Sequence, residues 1–307
     1  MERAAEPGVL LNWRFQQMLY RAYYDAYLRD RLIRETAAQS DASSILRTAG
    51  RIGSLRAIDE AETILDSAST RPVSPDRRAR VFELAEALFQ RIRLQTSVGK
   101  YKAIALGRGT HLDTIDVPLN DRFFLEKRFA AIRMIPNEEG RIQAIDALLN
   151  RADPGPGGFY DDLGDPNRQP HLVRKAKFAD DPDFRMSHVI GFARRPDWPM
   201  AWCQNAQSLV DNSLDMHYDG LDPKSRYKVR VVYAGDSPKT RIRLDADGKS
   251  VHPLIEKPDP VAPVEYDLPA ESTSDGKLDL RWHREPGLGG NGRGCHVAEV
   301  WIMQTSK

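Results

Sequence analysis

Two adjacent carboxylates, Asp161 and Asp162, come directly after Gly158-Phe159-Tyr160 near the middle of the chain and are the first candidates for acid–base chemistry. Sugar hydrolysis typically uses two carboxyl groups flanking the scissile bond, about 5 Å apart in retaining enzymes. In an extended chain neighbouring side chains point to opposite faces. At most one of the two aspartates therefore serves as a catalytic group, with Asp113, Asp116, Glu285 or Glu299 brought to it by folding. The plainer expectation is a turn in which both aspartates accept backbone amides. Tyr160, beside them, is counted with the ligand-binding candidates.

Further along, Trp198 and Trp202 flank Pro199 in a proline-rich stretch. Flat aromatic faces there would stack on sugar rings while Arg194, Arg195 or Asn205 supply hydrogen bonds. The competing expectation is that the rings anchor a connecting segment to a domain. Gly287-Leu288-Gly289-Gly290-Asn291-Gly292 matches the dinucleotide fingerprint formally. The next residues are Arg293-Gly294-Cys295-His296 and then a β-branched strand, so no helix start awaits a phosphate. A hairpin loop is expected there, with Asn291 and Arg293 as candidate borders of a ligand site. The seven histidines form no short metal-ligating pair, so neither a metal nor another cofactor is expected. Asp245-Ala246-Asp247-Gly248 starts like a calcium loop, lacks the rest, and reads as a hairpin turn.

Composition narrows the classes. Of the 307 residues, 41% are hydrophobic and 29% charged, a folded rather than disordered mixture. Forty-five basic against 44 acidic residues leave a net charge of +1, which offers no field for nucleic acid or anionic membrane. Arg77, Arg78, Arg80, Arg91 and Arg93 read as the solvated face of a helix. Apolar runs fall far short of the roughly 20 residues that span a bilayer. The start of the chain has no export signal. A complete chain is thus expected in the cytoplasm, and a piece of a longer exported protein in the periplasm or outside the cell. In that second case Cys203 and Cys295, the only two cysteines, are expected to pair.

The elements that must position these residues fall into two halves. Helical spacing runs through Phe15, Leu19 and Tyr23, through Ile58, Ala61 and Leu65, and through Val81, Leu84 and Leu88. Ser74-Pro75-Asp76 is a helix start with Ser74 as cap, and Asn120-Asp121 and Asn137 precede two further helices. About five helices are expected in residues 1–152. Asp153-Pro154-Gly155-Pro156-Gly157-Gly158 admits neither helix nor strand, and 153–210 reads as an ordered Pro/Gly-rich connection. From 211 to 307 the period is two. Seven strands are expected at Leu214–Tyr218, Tyr227–Tyr233, Thr240–Leu244, Ser250–Ile255, Val264–Leu268, Leu278–His283 and Val297–Met303. Trp282 and Trp301 fall within these alternating strands as core residues. The expected fold class is α+β in two domains, a helical bundle followed by an antiparallel β-sandwich of jelly-roll type.

The stretch Leu221-Asp222-Pro223-Lys224-Ser225-Arg226-Tyr227-Lys228-Val229-Arg230-Val231 resembles the strand entry of galactose-binding-like and malectin-like sandwiches. Lys277-Leu278-Asp279-Leu280-Arg281-Trp282, the glycine-rich loop and Val297–Ile302 are similar to their closing strands in bacterial carbohydrate-active proteins. Tyr23-Tyr24-Asp25-Ala26-Tyr27 and the segment 157–164 resemble downstream parts of large bacterial proteins of polysaccharide breakdown. The resemblance implies a carbohydrate partner and a non-catalytic binding or structural accessory role, beside a preceding catalytic domain or partner chain. The alternative is a glycoside hydrolase or lyase with an acidic site where the two halves meet.

Overall fold

A computed structural model describes residues 7–70, 73–105, 109–178, 180–186, 198–234, 240–287 and 293–305. The chain forms two compact units, Met1–Leu149 and Asn150–Lys307. Among the described residues no helix is long and apolar enough to cross a membrane.

The first unit contains α1 (Pro7–Leu10), α2 (Trp13–Leu46), α3 (Ala49–Ile52), α4 (Ser54–Thr70), α5 (Pro75–Ile92), α6 (Val98–Tyr101), α7 (Arg122–Arg133) and α8 (Glu138–Leu149). The five long ones stand where periodicity places them. α2 is the spine. Its first half packs Leu19, Tyr20, Tyr24 and Tyr27 against Val81, Leu84 and Leu88 of α5. Its last turns pack Ala42 and Leu46 against Ile58 and Leu65 of α4 and Phe129 of α7. Two cores therefore share one 34-residue helix. Asn137 caps α8, its Oδ1 accepting from Gly140 N at 2.6 Å. Ser74 does not cap α5. Its backbone is left-handed (φ 45°, ψ 57°) where a capping residue is extended, and its hydroxyl donates to the Asp30 carboxylate.

The second unit is built of two antiparallel sheets, and all seven expected strands are present. The strands are β1 (Phe159–Asp162), β2 (Asp183–Met186), β3 (Gln204–Leu209), β4 (Leu214–Asp219), β5 (Arg226–Tyr233), β6 (Ile242–Ala246), β7 (Lys249–Ile255), β8 (Pro263–Asp267), β9 (Lys277–Arg284) and β10 (Arg293–Thr305), with the single turn α9 (Met200–Cys203) before β3. One sheet runs β2-β3-β10-β5-β8 with β1 also on β10, and the other runs β4-β9-β6-β7. The first three strands were not legible in periodicity, and they lie in the stretch expected to be a connection. Val229, Val231, Val300 and Ile302 of the first sheet share a core with Met216, Tyr218, Leu280 and Trp282 of the second.

β10 is the central strand of the first sheet. One edge pairs with β5, and the other pairs first with β3 and then with β1. The loop before it is not a hairpin as expected, because β9 pairs with β4 and β6 in the other sheet. The chain leaves the second sheet at Arg284 and enters the first at Arg293, and residues 288–292 lie outside the described residues. The turn at Asp247-Gly248 is a true hairpin between β6 and β7. Both residues have positive φ, 47° and 75°, as the twist of a two-residue hairpin requires.

Cys203 and Cys295 are both free and buried, so the pairing expected for an exported chain is not formed. Cys295 lies in the core between the sheets and Cys203 packs with Trp198. Burial pushes the Cys295 thiol up to about 12.

Candidate functional site

The pairing of β1 with β10 decides the fate of the two aspartates. Asp161 stands opposite Val300 and Asp162 opposite Glu299, with Tyr160 opposite Trp301. Cross-strand partners share a face, so Asp161 points into the core between the sheets and Asp162 to the other face. The alternation of extended chain separates them: a strand stands where a turn was expected, and each aspartate still accepts a backbone amide, Asp161 from His171 N at 3.3 Å and Asp162 from Gly164 N at 3.1 Å. Entry into β1 needs glycine: a Cβ on Gly158 would lie 2.6 Å from Ile302 O and 2.9 Å from Pro154 O.

On the face away from the shared core, Glu299 is fully buried. Its carboxylate accepts from Tyr160 Oη, from Trp202 Nε1 at 2.6 Å and from Arg151 at 2.9 Å. Three donors from three separate segments thus hold one carboxylate rigid. Asp162 is almost as buried, its Oδ1 accepting from Gly164 N at 3.1 Å and Arg168 standing 3.9 Å from Oδ2. Burial, then the nearby Glu299 charge, pushes Asp162 up to about 7. Burial and Glu299 also raise Tyr160 well above the ordinary phenol range, so its hydroxyl remains a donor. The Arg168 guanidinium lies over the Tyr160 ring at 5.3 Å.

On the inner side, Asp161 accepts from Tyr218 Oη at 3.1 Å and meets His171 Nδ1 at 2.9 Å. His171 stacks on Tyr218 with centroids 4.4 Å apart and meets the Phe159 edge. Nδ1 is turned to the carboxylate, and Nε2 has no hydrogen-bond partner among the described residues. Sequence reasoning missed His171. A single histidine in a loop carries no spacing signal, and the link to Asp161 forms because residues 171 and 173 run along β4.

The remaining candidates separate. Trp198 is buried with Cys203, and Trp202 stands edge-on to it at 6.4 Å. Asn205 lies on β3, opposite Arg185 of β2, and its neighbour Ala206 faces the shared core. Asn205 therefore faces the same side as Glu299. It is 1% exposed, and neither atom of its side-chain amide has a hydrogen-bond partner among the described residues. Gln207 Oε1, two positions along, is in the same condition. Arg194, Arg195 and Asn291 lie outside the described residues, and of Arg293 only the backbone, at the start of β10, is described. Glu285 is engaged by Arg241. Asp113 and Asp116 belong to the helical unit, where Asp113 accepts from Ser97 and Val98 and Asp116 from Tyr27 and Arg78. No group of three or more metal-ligating side chains forms among the described residues.

No family model matches the chain, and no curated protein matches it. Among solved structures it is similar to a β-glucuronidase of Bacteroides uniformis, at 9% identity and a TM-score of 0.32, over 48% of this chain and 18% of that one. It is also similar to an exo-β-1,3-galactanase of Phanerochaete chrysosporium, at 14% identity and a TM-score of 0.28, over 47% of this chain and 29% of that one. The chain spans less than a third of the length of either enzyme.

Proposed function

We propose that this chain is a non-catalytic carbohydrate-binding accessory region associated with polysaccharide degradation, acting beside a catalytic domain or partner chain. Its strand-rich unit is read as a sandwich of the galactose-binding-like, jelly-roll kind. One observation carries the reading: the buried amide of Asn205, without a hydrogen-bond partner among the described residues, on the sheet face that holds Glu299, Tyr160 and Trp202. A buried amide without partners costs about 1–3 kcal/mol, so such a group calls for a ligand or water. A hydroxyl satisfies both of its atoms, donating to Oδ1 and accepting from Nδ2. The carboxylates of the same face are closed in by protein donors, which suits a fixed binding surface better than an acid that must reach a glycosidic oxygen.

The test is a glycan array on the full chain with a hydrolysis assay in parallel. Binding without turnover is expected, and Asn205→Ala should weaken binding without lowering the melting temperature, because no hydrogen bond to a described residue is lost. Trp198→Ala and Trp202→Ala separate a stacking role from anchoring: an anchoring ring lowers the melting temperature when removed, a stacking ring lowers affinity alone. No binding to any glycan would end the reading.

A second reading, a glycoside hydrolase or lyase, is favoured by one feature. Asp162, raised to about 7, faces Glu299 across the strand pair, and a protonated acid beside a second carboxyl is the arrangement of glycosidic acid catalysis. Hydrolysis abolished by Asp162→Asn would establish it in place of the first.

A further inference from the structure

The helical unit holds a cavity of about 390 Å³, within the range of small-molecule sites. Tyr27, Arg31 and Glu35 of α2 line it, with Thr70 at the end of α4, Arg78 of α5 and Asp116. The lining charges cancel in pairs. Arg31 meets Glu35 at 2.6 Å with both side chains buried, and Arg78 grips Asp116 through Nε at 3.0 Å and a terminal nitrogen at 2.5 Å. A charged ligand would have to compete with one of these pairs, exposing the displaced partner to the cost of a charge left alone.

Hydrogen-bonding capacity nevertheless remains. A carboxylate has about four acceptor positions. Asp116 fills three, two from Arg78 and one from Tyr27, and Glu35 accepts once from Arg31 and once from Leu119 N. The Thr70 hydroxyl gives its proton to Asp66 O, and its oxygen can still accept. Arg78 turns Nε and one terminal nitrogen to Asp116, so the N–H groups of its other terminal nitrogen remain to donate. Acceptors and donors thus line one small space, and a hydroxyl group serves both. Ala68, Val73, Pro75 and Ala79 supply apolar wall for the carbon face of such a ligand.

We propose that this cavity binds a small neutral polyhydroxylated molecule of about single-ring size, a monosaccharide or cyclitol. The site is separate from the sheet face of Glu299 and Asn205 and goes beyond the accessory-region reading. Asp116 and Tyr27 keep their protonation states through neutral pH. Burial works against the Asp116 carboxylate, but the Arg78 and Tyr27 hydrogen bonds prevail and hold it below the ordinary range, while burial and Asp116 raise Tyr27 to about 12.

The full chain would be titrated with glucose, xylitol and myo-inositol, followed by saturation-transfer NMR and calorimetry, with glucuronate and glucosamine as charged comparators. Saturable binding of at least one neutral polyol is expected, weakened about tenfold or more by Asp116→Ala and by Arg78→Ala. Ala79 is exposed on α5, so Ala79→Phe should block the cavity with the helical circular dichroism and melting temperature retained. If that variant does not fold, Ala79→Leu takes its place. Affinity unchanged in the folded blocking variant would overturn the proposal, as would preference for a charged comparator or no saturation by about 50 mM. The blocking substitution leaves the strand-rich unit untouched, so failure here and failure of the accessory-region reading are distinguishable.

Discussion

Asp162 and Glu299 face each other across the β1–β10 pair, both buried, and burial, followed by the Glu299 charge, raises the aspartate to about 7. Two like charges in one dry place are resolved by giving one of them a proton. Arg151, Tyr160 and Trp202 all donate to Glu299, whereas Asp162 accepts only from the backbone of Gly164, with Arg168 3.9 Å away.

This relationship makes stability depend on pH. The unfolded aspartate titrates near 3.9 and the folded one near 7, so between these values the folded state binds the extra proton. The contribution of this group to stability therefore falls as pH rises from about 4 to about 7, and is level beyond. Asp162→Asn should be close to neutral at pH 4 and stabilising at pH 8, by on the order of 2–4 kcal/mol. Urea unfolding at the two pH values measures it, and an equal effect at both would refute the assignment.

Removing the glutamate should be costly. Glu299→Ala leaves Arg151, the Tyr160 hydroxyl and the Trp202 indole N–H without their acceptor, and breaking a buried pair costs about 3–5 kcal/mol. Glu299→Gln keeps an acceptor and should cost less. It should also bring the Asp162 pKa down partway, since burial remains while the second cause is gone, as side-chain carbonyl NMR shifts tracked against pH would report.

Glycine at 158 is required by space. Gly158→Ala places a Cβ against the backbone of both Ile302 and Pro154, so β1 must shift away from β10. The expected loss is about 1–3 kcal/mol, with faster amide exchange in residues 159–162. Unchanged exchange there would show that the strand accommodates the methyl.

The unit boundary can be tested by expression. Residues 150–307 contain every strand among the described residues and the shared core, and should unfold cooperatively as an isolated fragment. Residues 211–307 lack β1 and β3, leaving one edge of β10 bare along its length. That fragment should aggregate or give poorly dispersed NMR spectra, and a well-folded shorter fragment would move the boundary to 211.

What the sequence determined by itself was local. The apolar stripes of α4 and α5, the Asn137 cap and the alternation of Arg226–Tyr233 are each written within a few residues, because one side of each element faces its core and the other faces elsewhere. Gln204–Leu209 has no such signature. It is buried through its middle four residues whichever face they occupy, and polar residues fill several of those positions, so no alternation survives to be read. The tertiary structure alone decided which carboxylate Asp162 would meet. Glu299 gathers Arg151, Tyr160 and Trp202 from 148, 139 and 97 residues away. Strand pairing fixes that encounter, and the burial it brings sets the protonation, since neither a dielectric environment nor a neighbour across a sheet exists in an isolated stretch of chain.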